Sequence, residues 1–227
     1  MDGLLLRKCV VEFIGTFFLI FVIGCVSSQT HVLLGPLAIG ATLMVMIFAG
    51  GHISGAHYNP AVTVGVWIRG ACNGLQAVCY IIAQILAACA ASIAVPMLLG
   101  HTIAPGAMGS TGQVILAEFL GTFALVYTVL NVATAPATAG NSFYGLAIGF
   151  TVFVQAVAVG SVSGGAFNPA VAVAASLLGA VKSQSLVIYW LSELVAAAAA
   201  AGIFRFIIIQ DRATKPERSQ RRAAEAN

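Results

Sequence analysis

The most chemically informative stretch of this sequence occurs twice, once in each half of the chain. Each copy is a turn-rich segment that runs into Asn-Pro-Ala and then into a short apolar run, at residues 54–62 and 163–171. Asn is a strong N-cap residue and Pro suits the first helical position, so each copy predicts a loop that leads into a short helix. Both copies lie in a very apolar sequence, where irregular backbone is tolerated only if it is buried in protein or lines a wet cavity.

Hydrogen bonding to a small uncharged molecule is the chemistry that the two copies predict. The side-chain amides of Asn59 and Asn168 would point donors into one place. Two helix N-termini, each equivalent to roughly half a positive charge, would meet there as well. The preceding segments, 55–58 and 164–167, should present backbone carbonyls along a narrow path. Such a path suits neutral molecules that donate and accept hydrogen bonds, and it should repel cations and hinder proton relay.

The candidate pore residues fall into two sets, the motifs themselves and the segments that lead into them. The motif residues are Asn59, Pro60, Ala61, Asn168, Pro169 and Ala170. The residues predicted to line the path beside them are Gly55, Ala56, His57, Tyr58, Gly164, Ala166 and Phe167. For the two asparagines we expect a helix-capping role and a pore role together.

Long apolar helices are the elements that must position these motifs. The chain has 227 residues, of which 60% are hydrophobic and only 7% are charged. An ordinary soluble domain has about 25% charged residues, so this class of protein is excluded. Six apolar segments are long enough, or nearly so, to cross a hydrocarbon core of roughly 30 Å. The sequence therefore predicts an all-α membrane protein with six transmembrane helices and two re-entrant half-helices.

The six spans are predicted over about residues 9–27, 36–50, 75–99, 113–132, 142–160 and 185–209, with half-helices that end near 67 and 178. We expect one membrane domain, residues 1–209, followed by a basic tail, residues 210–227. The number of spans is even and the Arg and Lys residues cluster near the two ends of the chain. Both termini are therefore predicted to be cytoplasmic.

The two halves of the chain are related by an internal repeat, over about residues 9–99 and 113–209. The stretch Glu-Phe-Ile-Gly-Thr-Phe at 12–17 matches Glu-Phe-Leu-Gly-Thr-Phe at 118–123, and Leu-Ala-Ile-Gly at 37–40 recurs at 146–149. Each half contains three spans, an odd number, so the second half must enter the membrane from the opposite face. This predicts an inverted repeat in which the two half-helices meet near the middle of the bilayer.

The sequence resembles the aquaporin, or major intrinsic protein, family over about residues 9–209. The paired Asn-Pro-Ala motifs, the repeated Glu-Phe-x-Gly-Thr-Phe and the run Gly-His-Ile-Ser-Gly-Ala-His at 51–57 are the basis of the resemblance. It implies a pore in every subunit of a homotetramer, and passive transport of water and sometimes of glycerol, urea, ammonia or metalloid acids. We expect no enzymatic activity, cofactor, metal or nucleic-acid partner. We expect the protein to lie in the plasma membrane or in an internal, vacuole-like membrane.

The resemblance also implies a second constriction on the outer side, formed here by Ile39, Ala156, Gly165 and Val171, with the register at Ala156 open by one residue. The family usually has Arg at the last of these positions, often His at the span-five position in water-selective members, and often an aromatic residue in span two. A ring of Ile, Ala, Gly and Val has no charge and less bulk. We therefore predict a wider, apolar constriction that rejects solutes larger than water less strongly.

Three glutamates lie within predicted spans, where ionisable residues are candidates for function. The resemblance implies that Glu12 and Glu118 brace the re-entrant loops by hydrogen bonds, and a proton relay is the alternative. Glu193 stands where the family usually has Pro. Its partner in the repeat is Gln84, which suggests a buried polar contact, and a place in the lumen wall stays open.

Other classes of membrane protein are less consistent with the sequence. An inverted-repeat secondary transporter would need a charged or carboxylate-rich centre, and the re-entrant segments contain no Asp or Glu. A structural or adhesive protein with a closed pore stays possible, because sequence does not show whether outer loops are complementary. An intramembrane enzyme would need a nucleophile and a base, or a metal cluster, at the centre. The sequence favours a passive channel.

Overall fold

The computed structural model describes residues 3–27, 34–104, 106 and 108–224, and describes side chains up to residue 208. The predicted connector between the first two spans therefore lies largely outside the described part. The side chains of the predicted tail, residues 210–227, lie outside it entirely. Within it the chain forms eight α-helices and no strand. They are α1 (Gly3–Ser27), α2 (Leu34–Ser54), α3 (Pro60–Arg69), α4 (Gly74–Leu99), α5 (Thr111–Val129), α6 (Tyr144–Ser163), α7 (Pro169–Leu177) and α8 (Leu186–Ala224).

Six helices in the described part are long and apolar enough to cross a membrane, which confirms the predicted number of spans. Some predicted ends were wrong. Helix α1 begins at Gly3, before the predicted start at Cys9, and α2 continues past Gly50 to Ser54. Helix α8 continues beyond residue 209, to Ala224, through most of the predicted tail. The predicted spans follow the apolar run, whereas helical hydrogen bonding continues where the sequence becomes polar.

The two short helices begin where the motifs predicted. Asn59 and Asn168 are the N-cap residues of α3 and α7, both with extended backbone, and a Pro follows each as the first helical residue. The Asn59 Oδ1 atom accepts a hydrogen bond of 2.8 Å from the Ala61 N–H, and the Asn168 Oδ1 atom accepts one of 2.9 Å from the Ala170 N–H. Each asparagine thus satisfies a backbone donor that the first turn of a helix leaves free.

Helix packing repeats between the two halves. Helix α1 packs against α2 and α4, as α5 packs against α6 and α8, and α2 packs against α6 across the centre. Each half-helix also crosses to the other repeat, since α3 packs against α8 and α7 packs against α4. This exchange is the packing expected of an inverted repeat with a pseudo-two-fold axis in the membrane plane.

Helices α2 and α6 approach closely at two glycines, one from each repeat. A Cβ atom placed on Gly40 would lie 2.6 Å from the Gly149 carbonyl oxygen and 2.8 Å from the Phe153 Cβ atom. Small residues at helix crossings allow backbones to approach in this way within membranes. The glycines that end the two matching Leu-Ala-Ile-Gly segments therefore allow α2 and α6 to pack closely across the centre.

The variant Gly40→Ala is expected to lose about 1–3 kcal/mol of stability, the usual cost of overpacking a tight contact. Its melting temperature in detergent, followed by tryptophan fluorescence, would fall below that of the wild type. The matched control is Gly112→Ala in α5, because a Cβ atom there meets nothing within 4 Å. Equal melting temperatures for the two variants would contradict this account of the crossing.

Candidate functional site

The tips of the two half-helices are joined by a pair of reciprocal hydrogen bonds. The Asn59 Nδ2 atom donates to the Phe167 carbonyl oxygen at 2.8 Å, and the Asn168 Nδ2 atom donates to the Tyr58 carbonyl oxygen at 3.0 Å. Both asparagines are buried, with 3% and 4% of their surface exposed. An amide NH₂ group has two donors. Among the described residues, these contacts use one donor of each amide and leave the other for a molecule beside it.

A cavity of about 560 Å³ lies against this junction. Both asparagines line it, and so do residues from the long helices α1, α2, α5 and α6 and from both re-entrant loops. The predicted site residues that line it are Ile39, Ala56, His57, Tyr58, Asn59, Ala156, Gly164, Gly165, Ala166, Phe167, Asn168 and Val171. The structure therefore brings the four residues of the predicted outer constriction and both motif asparagines into one space.

The remaining predicted residues lie elsewhere. The motif residues Pro60, Ala61, Pro169 and Ala170 are buried, and none of them is part of this cavity wall. Gly55 instead lines a second cavity of about 460 Å³, together with Lys8, Arg69 and Gln76. His57 and Val129 line both cavities, so the two spaces adjoin at these residues. The place of Gly55 along the conducting path stays a prediction.

The wall of the larger cavity is largely apolar. It includes Leu43, Ile47, Leu125, Ile148 and Val152, which come from α2, α5 and α6. Among the described residues that line it, none is Asp, Glu, Lys or Arg. Apart from the hydroxyl groups of Ser27, Ser161, Ser163 and Tyr189, the polar groups of the wall come from the loops and the two amides. A molecule in this space finds most of its hydrogen-bonding partners at the junction, because the walls offer few others.

The re-entrant loops have an unusual backbone conformation. Ala56, Tyr58 and Phe167 have φ values of 52°, 50° and 47°, in the left-handed region that residues with a side chain seldom adopt. Such conformations cost on the order of 1–3 kcal/mol each and persist only where the surroundings enforce them. Gly165, with φ of 65°, occupies the same region without a side chain to strain it.

The carboxylate of Glu12 holds the first loop in place. Its two oxygens accept hydrogen bonds from the backbone N–H groups of His57 and Tyr58, at 2.9 and 2.7 Å. They also accept from the Ser54 hydroxyl at 2.7 Å and from the Gln84 amide at 2.8 Å. Glu12 is fully buried, and all four of these partners are donors. The loop backbone and the carboxylate therefore satisfy each other inside the protein.

The second loop is held by two carboxyl groups. Glu118 accepts from the backbone N–H groups of Ala166 and Phe167 at 3.0 and 2.7 Å. Glu193 accepts from the next N–H group, that of Asn168, at 2.9 Å. Glu193 is fully buried and is not part of the wall of the larger cavity. Its bond to the motif asparagine was missed from the sequence, although its match to Gln84 indicated a buried polar contact.

The repeated Glu-Phe-x-Gly-Thr-Phe stretch also has a packing role that the sequence analysis missed. A Cβ atom on Gly15 would overlap the ring of Tyr58, and one on Gly121 would overlap the ring of Phe167. Each glycine lies three residues after the bracing glutamate, on the same face of its helix. The stretch thus supplies a hydrogen-bond acceptor for the loop backbone and a space for the loop's aromatic ring. The recurrence of the stretch in both halves of the sequence was the signal from which this packing role could have been inferred.

Comparison with known proteins agrees with the resemblance found in the sequence. The sequence model of the family described as Major intrinsic protein matches residues 3–204. Aquaporin NIP1-4 of Oryza sativa subsp. japonica is 35% identical over 217 residues, which cover 91% of this chain and 79% of that protein. Aquaporin AqpM of Methanothermobacter thermautotrophicus is 36% identical over 199 residues, which cover 73% of this chain and 80% of that protein.

A solved structure shares the fold. The X-ray structure of the aquaglyceroporin from Plasmodium falciparum superposes with a TM-score of 0.70 and 21% sequence identity, covering 88% of this chain and 93% of that one. The six spans, the two half-helices and their inverted arrangement are therefore those of the aquaporin fold. Proteins with this sequence signature are channels and not enzymes. The chain belongs to the major intrinsic protein family and is a passive membrane channel for water and small solutes.

Proposed function

We propose that this channel conducts water together with larger neutral solutes such as glycerol, urea and ammonia. The observation that supports this proposal is the composition of the predicted outer constriction. Ile39, Ala156, Gly165 and Val171 all line the larger cavity, and none of them has a charged or polar side chain. Gly165 contributes only backbone. A constriction built this way has less bulk than one with Arg and an aromatic residue.

The apolar surroundings favour such solutes for a second reason. Glycerol carries hydrogen-bonding groups as well as a carbon skeleton, and burial of apolar surface contributes about 25 cal/mol per Å². The side chains of Leu43, Ile148 and Val152 would contact the skeleton while the loops and amides contact the polar groups. A guanidinium at the constriction would instead require a passing solute to compete with its hydration.

Exclusion of ions and protons would arise at the asparagine junction. The N-terminal ends of α3 and α7 present partial positive charge there, which opposes the entry of cations. The free amide donors of Asn59 and Asn168 would both bind the oxygen of one water molecule and fix its orientation. A water held in this way cannot pass a proton along a chain. We propose the motifs, the lining loops and the two bracing glutamates as the functional residues.

The setting of the channel is part of the proposal. Residues 1–209 would form a single membrane domain with both termini in the cytoplasm, and residues 210–227 a basic cytoplasmic tail. The clustering of Arg and Lys near the two ends supports this orientation. We propose that four copies assemble as a homotetramer, with one pore in each, in the plasma membrane or a vacuole-like internal membrane. Neither a cofactor nor a nucleic acid has a part in this function.

Stopped-flow light scattering on proteoliposomes tests the proposed solute range. Water flux should exceed that of empty liposomes with a low activation energy, and glycerol, urea and ammonia should also enter faster than into empty liposomes. No sodium or proton gradient should be required. Passage of water alone would contradict the relaxed constriction. Flux that needs an ion gradient would indicate a secondary transporter, and no flux at all would indicate a closed-pore structural protein.

A further inference from the structure

Two buried carboxyl groups lie side by side behind the second re-entrant loop. Glu118 and Glu193 are both fully buried, and they accept hydrogen bonds from the adjacent backbone N–H groups of Phe167 and Asn168, at 2.7 and 2.9 Å. The Glu193 Oε1 atom accepts from the Asn168 N–H group, whereas its Oε2 atom has no donor among the described residues. Two ionised carboxylates cannot donate to each other, and like charges this close oppose joint ionisation. One proton on the pair would remove this repulsion and supply the donor that the Glu193 Oε2 atom lacks.

Among the described residues, the cations on the elements around the pair lie far from the two carboxyl groups along those elements. Helix α5 contains no charged residue besides Glu118, and α4, α6, α7 and residues 164–168 contain none at all. On α8, Arg205 is twelve residues beyond Glu193, about 18 Å along the helix at 1.5 Å per residue. Tyr189 is the nearby titratable group on α8, and its hydroxyl donates to the Ser163 carbonyl oxygen. Helix α3, which also packs against α8, carries Arg69, whose guanidinium donates to Thr134 and lies over the ring of Phe204, eleven residues beyond Glu193. Lys182 is eleven residues before Glu193 in the chain. Among the described residues, no cation forms an ion pair with either carboxyl group.

The first repeat contains the equivalent pair of side chains, and there one partner donates a hydrogen bond to the other. There Glu12 faces Gln84, whose Nε2 atom donates to the Glu12 carboxylate at 2.8 Å. Glu193 occupies the position of Gln84 in the repeat. A protonated Glu193 offers Glu118 one donor, as the amide of Gln84 does for Glu12. The ionised form of Glu193 offers none.

We propose that Glu118 and Glu193 share a single proton, and that Glu193 in this state is a positioning residue for Asn168. Together the pair accepts hydrogen bonds from three successive backbone N–H groups, those of Ala166, Phe167 and Asn168. Loss of the proton places two negative charges against each other, which separates the carboxyl groups and moves the asparagine tip. This inference rests on the proposed contact between Asn168 and the permeating molecule.

Infrared spectroscopy of the full-length protein in liposomes tests the proton directly. The wild type at neutral pH should show the C=O stretching band of a buried protonated carboxyl, and Glu193→Gln should lack it. The control Glu217→Gln changes a carboxyl outside residues 3–208 and should keep the band. A wild-type spectrum without this band would overturn the proposal, whatever the variants do.

Water permeability as a function of pH tests the positioning role. Wild-type permeability should fall about fivefold from neutral to strongly alkaline pH, because the buried pair then loses its proton. Glu193→Leu should be poorly permeable at every pH, and Glu193→Gln should rescue permeability relative to it and show no alkaline fall. A fall that persists in Glu193→Gln would assign the titration to another group and overturn the proposal, as would a flat wild-type profile.

The two proposals can fail separately. A protonated-carboxyl band and a pH-dependent water flux, in a channel that does not admit glycerol or urea, would support the shared proton and reject the relaxed constriction. Glycerol and urea flux with no carboxyl band would do the reverse. Of the variants, Glu193→Leu has the highest risk of misfolding. The infrared test remains decisive in that case, because it compares only the wild type, Glu193→Gln and Glu217→Gln.

Discussion

Replacing Val171 by Arg is expected to lower glycerol and urea permeability about tenfold, a barrier increase of ~1.4 kcal/mol, and to lower water permeability much less. Val171 lines the larger cavity at the start of α7, directly after the second Asn-Pro-Ala motif. Arg is longer than Val and is always ionised. Its guanidinium would narrow the constriction and bind water strongly, so a solute with a carbon skeleton would lose both space and apolar contact.

Stopped-flow light scattering with each solute in turn measures this change. The matched control is Val171→Leu, which adds apolar bulk at the same position without charge. If size alone limits passage, the two variants should slow glycerol alike, whereas a larger effect of Arg would show the contribution of charge. Unchanged permeation of glycerol, urea and ammonia in Val171→Arg would reject the relaxed outer constriction.

Replacing Glu12 by Leu is expected to remove most of the water permeability and to destabilise the fold. The change removes the acceptor of four hydrogen bonds, including those from the N–H groups of His57 and Tyr58. An unsatisfied buried donor costs about 1–3 kcal/mol. The left-handed backbone at Tyr58 would lose the contact that enforces it, so the Tyr58 carbonyl would no longer meet the Asn168 amide.

Water permeability per folded protein and the melting temperature in detergent measure the two effects of Glu12→Leu. The matched control is Glu12→Gln, which keeps the shape and one acceptor oxygen but turns an NH₂ group towards other donors. It should fall between the wild type and Glu12→Leu in both measurements. Wild-type permeability and melting temperature in Glu12→Leu would show that the loop needs no brace.

The number of spans and the positions of the half-helices could be predicted because their signals are local. Span number follows from the length of apolar runs, and the starts of α3 and α7 follow from Asn-Pro pairs. The end of α2 could not be predicted, because Gly50 and Gly51 look like a turn. In the structure Gly50 stays helical and leaves room for the Tyr58 hydroxyl, which donates to the Met46 carbonyl oxygen at 2.9 Å.

The candidate site was only partly predictable for a similar reason. Motif positions identified the two asparagines and the loop residues that line the larger cavity, since the same pattern occurs twice. The bonds from each asparagine to a carbonyl of the other loop were missed, because a backbone oxygen has no sequence signature and these partners are 108 and 110 residues apart. The contact between Glu193 and Asn168 depends in the same way on the relative placement of α8 and the loop.

The reciprocal bonds between the asparagines and the opposite loops have a consequence for how such a chain could arise. One repeat alone holds an amide without its carbonyl and a carbonyl without its amide, so its tip is incomplete. Two identical copies inserted in opposite directions would complete each other, with the same bonds formed between molecules. In this chain the two halves are covalently joined, so the pairing of the two tips does not depend on two molecules meeting. An ancestor of half this length that inserted into the membrane in both orientations would form the same pairing as a dimer.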